Sequence, residues 1–192
     1  MGSKTVARES ILEAAIRCLC RVPAGSLTVD AIAREADCAK GLVHYHFKTK
    51  SALFAAAAER LWANRTARWT EALSHGDPKE AIERSWTLLT EEAEQGITKA
   101  CASLSVMPDN MTGQAISRGS TQFGSRLASS IEGLFGRVGL AASVPIEEIG
   151  SLAAAVVMGM GMQLDSAADD VAGEGAYAAF WAGLLSLTHP GD

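Results

Sequence analysis

Apolar residues recur at spacings of three and four along nearly the whole chain, and no stretch holds the period-two alternation of a half-buried strand or an Asn-Gly hairpin signal. The pattern predicts an all-α fold of about nine helices. A first helix over 6–21 sets Ile11, Ala15, Cys18 and Leu19 on one stripe, and the Val22-Pro23-Ala24-Gly25 run stops it. Thr28 then supplies an N-cap hydroxyl, with Asp30 in the first turn where a carboxylate suits the helix dipole. Val29, Ile32, Ala33 and Ala36 form the buried face of this second helix. Asp37-Cys38-Ala39 is too short for a linker and reads as a tight turn into a third helix over 40–45, with Leu42 and Val43 packed inward. A long alanine-rich helix over 51–73 ends at the His75-Gly76-Asp77-Pro78 breaker. Five more helices are expected at 79–95, 99–106, 113–138, 146–168 and 175–188, separated by Pro108, Gly139, Pro145 and the Asp169-Asp170-Val171-Ala172-Gly173 stretch. The organisation that follows is a head at 1–50, a connecting helix at 51–73 and a larger helical domain at 74–192.

With 192 residues, 48% of them apolar, the chain can bury a sizeable core without staples. Cys18, Cys20, Cys38 and Cys101 have no repeated CxxC spacing, and the first residues lack the order of a signal peptide. A long uncharged stretch, 149–164, is rich in Gly and Ala and shorter than the ~20 apolar residues of a spanning helix. The expectation is a cytoplasmic protein with no membrane partner and no metal site. The net charge of −5 argues against nucleic acid until its distribution is read: residues 1–50 hold eight Lys or Arg against five acids, a net of +3 that leaves −8 for the remainder. A basic head on an acidic body implies that the head alone meets phosphates.

Chemistry and spacing converge between residues 28 and 50. In a helix-turn-helix the second helix lies in the major groove, so its exposed face needs hydrogen-bonding side chains and little bulk near its start. Lys40-Gly41-Leu42-Val43-His44-Tyr45-His46 meets that need. Gly41 lets the backbone approach the duplex, Lys40 reaches phosphate or a guanine edge, and His44, Tyr45 and His46 offer donors and aromatic faces. Lys48 and Lys50 put cations beside the first turn of the long helix.

At these residues the sequence resembles the TetR family of transcriptional regulators. The matching runs are Ile11-Leu12-Glu13-Ala14-Ala15, Gly25-Ser26-Leu27-Thr28-Val29-Asp30-Ala31-Ile32-Ala33, Lys40-Gly41, and Tyr45-His46-Phe47-Lys48-Thr49-Lys50-Ser51-Ala52-Leu53-Phe54. The resemblance implies that Thr28 and Lys50 bind phosphate, that Lys40, Gly41, His44 and Tyr45 face the groove, and that Phe47 and Leu53 anchor the fourth helix. It also implies homodimers on palindromic double-stranded operator DNA. Three positions depart from the family pattern. Asp37 stands where Gly is usual, and tolerates a left-handed conformation at some cost. Ala39 replaces the Ser or Thr that caps the recognition helix, removing a cap worth about 1 kcal/mol. His44 replaces a Tyr, so contact there would follow the protonation of an imidazole.

The remainder has no such motif, and the resemblance implies a helical domain that holds a small hydrophobic effector and pairs through its last two long helices. Leu152, Val156, Gly159, Leu184 and Leu185 are the candidates for pairing, with Gly159 and Gly161 permitting close approach. Trp86, Met107, Met111, Phe123, Leu127, Met158, Met162 and Gln163 are candidates for a flexible pocket, since thioethers and aromatics adapt to irregular shapes; the alternative for each is ordinary core packing. Cys38 beside the recognition helix reads as a filler of a small apolar position before a redox switch. His75 and His189 read as solvent-facing, and Glu91-Glu92-Glu94 as a solvated helical face. An enzyme is disfavoured, for no paired carboxylate and histidine, Gly-rich phosphate loop or nucleophile with a nearby base is present, and no cofactor is implied. The other alternative is a ligand-binding module that has lost operator binding, against which Lys40-Gly41 and the Lys48 to Lys50 run stand. Repressor and activator are not distinguished.

Overall fold

The structure, a computed structural model, describes residues 2–164 and 170–191. Among these the chain forms α1 (Gly2–Leu19), a 3-10 turn (Ala24–Ser26), α2 (Val29–Glu35), α3 (Lys40–Phe47), α4 (Lys50–Leu73), α5 (Pro78–Glu94) and α6 (Ile97–Ser105). There follow α7 (Asn110–Arg137), β1 (Leu140–Ala142), α8 (Ile146–Leu164), α9 (Asp170–Leu185) and β2 (Thr188–Pro190). The fold is all-α, as the periodicity predicts, apart from one two-stranded antiparallel ribbon in which Leu140 faces Pro190 and Ala142 faces Thr188. Three-residue strands are too short to display alternation, which is why Thr188 reads as the end of a helix in the sequence. The Asp170-Val171-Ala172-Gly173 stretch, expected as a separator, is helical and opens α9; Asp169 and the expected helical residues 165–168 lie outside the described residues.

The chain divides into two compact units, Met1–Ala63 with Gln95–Gly119, and Asn64–Glu94 with Ser120–Asp192. In the first, α1 packs against α2 and α3, and Ile11, Ala15 and Leu19 of α1, Ile32 and Ala33 of α2, Val43 and Phe47 of α3, and Leu53 and Phe54 of α4 are all buried. The α1 and α2 helices are also tied by charge, for both Arg17 Nε and Arg21 Nη1 donate to Glu35, at 2.8 and 2.9 Å. These donors, Arg17's first, hold the Glu35 carboxyl below the usual carboxylate range against a smaller opposing effect of desolvation. Gly96 opens α6 at φ 73°, and a Cβ there would overlap the Cys20 carbonyl, so both the dihedral and the close approach call for glycine.

The second unit packs Trp69, Leu89, Phe123, Leu127, Phe135, Val157, Tyr177 and Trp181 into its core. A Cβ on Gly150 would strike the Gly124 carbonyl and Ala128, so α8 lies against α7 through this pair of glycines. The acidic run of α5 corrects the sequence reading. Glu92 is fully buried: its Oε2 accepts from Arg65 Nε at 2.7 Å and from Trp69 Nε1 at 3.1 Å, and the Arg65 guanidinium lies over the Phe123 ring at 5.0 Å. Burial of this pair is tolerable because charge, indole and ring surround it together. Glu91, by contrast, is half exposed and pairs with Arg68 at 2.6 Å.

Candidate nucleic-acid interface

Local chemistry explains how α2 and α3 are set. Thr28 is extended at φ −106° and ψ 155°, and its Oγ1 accepts from the Ala31 N–H at 3.2 Å, which caps α2 as the sequence predicts. The hydroxyl proton is left to donate outward. Asp37 adopts φ 49°, the left-handed turn expected of it, and the Cys38 N–H returns to the Ala33 carbonyl at 2.9 Å to close the turn. Ala39 offers α3 no side-chain cap. The fourth helix has a cap the sequence reading passed over: Thr49 Oγ1 accepts from the Ala52 N–H at 3.0 Å, so α4 begins at Lys50 rather than 51.

Val43 and Phe47 turn α3 inward, and its outer face presents Lys40, Gly41, Leu42, His44 and Tyr45, with His46 half-buried. Leu42 is the correction here. It is 36% exposed rather than packed inward, because α3 buries the stripe of Val43 and Phe47, four residues apart, and Leu42 falls off it. Nothing lies within 4 Å of where a Gly41 Cβ would stand, so the start of the helix is open. Tyr45 is 52% exposed and meets the His46 ring edge-on, with centroids 5.1 Å apart, while Lys48 Nζ stands 5.2 Å from the Tyr45 centroid.

The cations divide into two groups. Lys40 Nζ donates to Asp30 Oδ2 at 2.7 Å, joining α3 to α2, and that hydrogen bond holds the Asp30 carboxyl below its ordinary range. Arg17 and Arg21 are similarly committed to Glu35. Lys48 and Lys50 have no carboxylate partner among the described residues; their ammonium groups rest on the Tyr45 and Phe54 rings, the latter at 4.9 Å. Lys48 and Lys50 therefore put positive charge with no carboxylate partner where α3 ends and α4 begins.

Residues 11–57 match the family model described as "Bacterial regulatory proteins, tetR family". The head, over residues 11–57, is thus similar to the heads of that family. The helix-turn-helix of this head is α2 and α3. Solved structures of tetR-family regulators share the fold over nearly the whole length. A putative TetR-family transcriptional regulator from Rhodococcus sp. is 18% identical with a TM-score of 0.76, over 94% of this chain and 97% of that one. E. coli NemR in its reduced form is 18% identical with a TM-score of 0.77, over 96% and 98%. A TetR family regulator from Agrobacterium tumefaciens is 17% identical with a TM-score of 0.76, over 97% and 100%. No curated protein matches the chain. Among the described residues, no helix is long and apolar enough to cross a membrane.

The tetR-type head thus gathers Thr28, Lys40, Gly41, His44, Tyr45, His46, Lys48 and Lys50 on α2, α3 and the start of α4. The residues proposed for an effector are not gathered in the same way. Met107 and Met111 belong to the first unit and Trp86, Phe123, Leu127, Met158, Met162 and Gln163 to the second. Phe123 and Leu127 are buried core, Met111, Met162 and Gln163 are exposed, and Trp86 is tilted against Tyr177 with centroids 5.3 Å apart. Phe123 and Met158 both touch the buried Arg65. Of the pairing candidates, Leu152, Gly159 and Leu185 are exposed and Val156 is half-buried, whereas Leu184 is 1% exposed and belongs to the unit's own core. His75 is not free in solvent, for its Nδ1 lies 3.1 Å from Glu80 Oε2, while the exposed His189 fits its reading.

Proposed function

We propose that this protein is a sequence-specific repressor, working in the cytoplasm as a homodimer on a palindromic operator and released from it by a small hydrophobic effector. The observation that carries the reading is the pair of unneutralised lysines, Lys48 and Lys50, beside an exposed aromatic and imidazole face on α3. Cations near the backbone supply affinity for any duplex, and side chains on base edges supply preference for one.

In this reading Thr28, Lys48 and Lys50 hold phosphates, while His44, Tyr45 and His46 meet base edges with Gly41 allowing close approach. Leu42 adds an apolar contact suited to a thymine methyl group. Lys40 is shared between Asp30 and the duplex. Pairing uses the exposed apolar faces of α8 and α9, through Leu152, Val156, Gly159 and Leu185 but not Leu184. Two recognition helices then meet successive major grooves, roughly 35 Å apart. Because α4 is one unbroken helix with residues in both units, it is the element through which an effector held by the second unit alters that spacing.

The test is binding of the full chain to the duplex upstream of its own coding region and to a shuffled duplex of equal length, over a range of salt. Lys50→Ala is expected to weaken both and flatten the salt dependence, and Tyr45→Ala to weaken the first more than the second. Equal affinity for both duplexes would overturn the reading.

A further inference from the structure

The second unit contains an apolar cavity of about 400 Å³ that none of the sequence-derived ligand candidates lines. Its apolar walls are Ile82 from the first turns of α5, Leu134 and Phe135 from the end of α7, Val138 just after it, and Trp181 and Leu185 from α9. Leu134, Phe135 and Trp181 are almost wholly buried, whereas Val138 and Leu185 are 52% and 45% exposed, so the first three form a floor and the last two a rim. A floor that is dry and a rim that is open make a concavity rather than a flat apolar face. Its volume lies in the range of roughly 300–1,000 Å³ that small-molecule sites occupy.

The charges at its edge restrict what enters. Lys79 and Glu83 both border the cavity, and Lys79 Nζ lies 3.7 Å from Glu83 Oε1, so each is answered by the other and neither is left to select an ion. The remaining walls, Ile82, Leu134, Phe135, Val138, Trp181 and Leu185, are apolar, and the Trp181 indole nitrogen is itself wholly buried. A charged ligand would forfeit its hydration here with no compensating partner. A neutral apolar one gains burial of its own surface and of the exposed Val138 side chain, Leu185 being already assigned to pairing.

We propose that this cavity is a binding site for a neutral, largely apolar small molecule, and that it is where the effector of this regulator sits. The second half of the proposal rests on the effector reading given above. The site is held by α9, whose exposed face is also assigned to pairing, and by α5, which follows α4 directly in the chain. An occupant therefore bears on both the pairing helix and the neighbour of the helix shared with the head.

The test uses the full chain with indole nitrogens labelled by ¹⁵N, since each of the four tryptophans gives its own N–H resonance and Trp181→Phe assigns the relevant one. 2-Ethylnaphthalene, neutral and apolar, is the probe. The Trp181 resonance is expected to move saturably, and the apparent affinity to fall at least tenfold in Val138→Trp, which fills the cavity from an exposed rim position and so spares folding. Ile82→Trp provides a second filled variant. A Trp181 resonance unmoved up to the solubility of the probe overturns the proposal, as does binding unchanged in both filled variants. Operator affinity, measured with and without probe, separates the two readings. Saturation with no change in that affinity retains the site but removes its effector role, whereas absence of operator binding in the probe-free protein defeats the regulator reading whatever the cavity does.

Discussion

Lys40 Nζ and Asp30 Oδ2 lie 2.7 Å apart, so the first cation of the recognition helix is held by an acid of the helix before it. The pair fixes α3 against α2 and reduces the charge that Lys40 offers a phosphate. Asp30→Asn is therefore expected to tighten binding to any duplex and to steepen the salt dependence, by about one unit of slope in log K against log salt. An unchanged slope would contradict this division of the cations.

The same pair has a pH signature. The Asp30 pKa is depressed in the folded protein, so the pair contributes stability above the ordinary aspartate value of about 4 and loses it as the pH falls through the lower folded value. Carboxyl ¹³C titration should give a lower midpoint for Asp30 in the native protein than in Lys40→Ala. Equal midpoints would show that the ammonium does not act on it.

Leu42 is 36% exposed on the recognition helix. If it meets a thymine methyl, replacing one operator thymine by uracil should weaken the native protein several-fold, on the scale of about 1 kcal/mol for a good base contact. Leu42→Ala should show no such difference between the two duplexes. A scan of operator thymines with no position sensitive to Leu42 would remove it from the interface.

Much of the head was legible in the sequence because its signals are local. The Thr28 cap, the left-handed Asp37 and the buried stripe of Ile32, Ala33, Val43 and Phe47 each follow from a residue type at a fixed spacing. Leu42 and Glu92 were misread because their exposure depends on how a helix is rotated against neighbours distant in sequence, which a short or charged run does not encode. The cavity was illegible for the same reason: Ile82, Phe135 and Trp181 come from three separated helices. In α8 and α9, apolar residues occur nearly all round, so no stripe separates Leu184, buried, from Leu185, exposed.

Arg65 and Glu92 are wholly buried together. Glu92→Ala leaves a buried cation without its carboxylate, a loss of about 3–5 kcal/mol, and should lower the melting temperature by roughly 10 °C. Arg65→Met combined with Glu92→Leu should recover much of that loss. Melting of Glu92→Ala within a degree of the native protein would show that the pair is not buried as described.

Burial first, and the neighbouring Asp37 second, push the Cys38 thiol above its ordinary pKa. Little thiolate is then present near neutrality, and alkylation of Cys38 should be slow at pH 7 and accelerate with pH into the alkaline range. Rapid labelling at pH 7, located by peptide mass spectrometry, would instead favour a redox role.

The central claim, that a symmetric pair of tetR-type heads reads adjacent turns of one duplex, is tested most directly by selecting binding sites from random duplexes with the full chain and sequencing the survivors. An enriched inverted repeat with half-sites about 10 base pairs, one helical turn, between centres is the predicted result. A library that stays unenriched, or that converges on an unrepeated half-site, would contradict it.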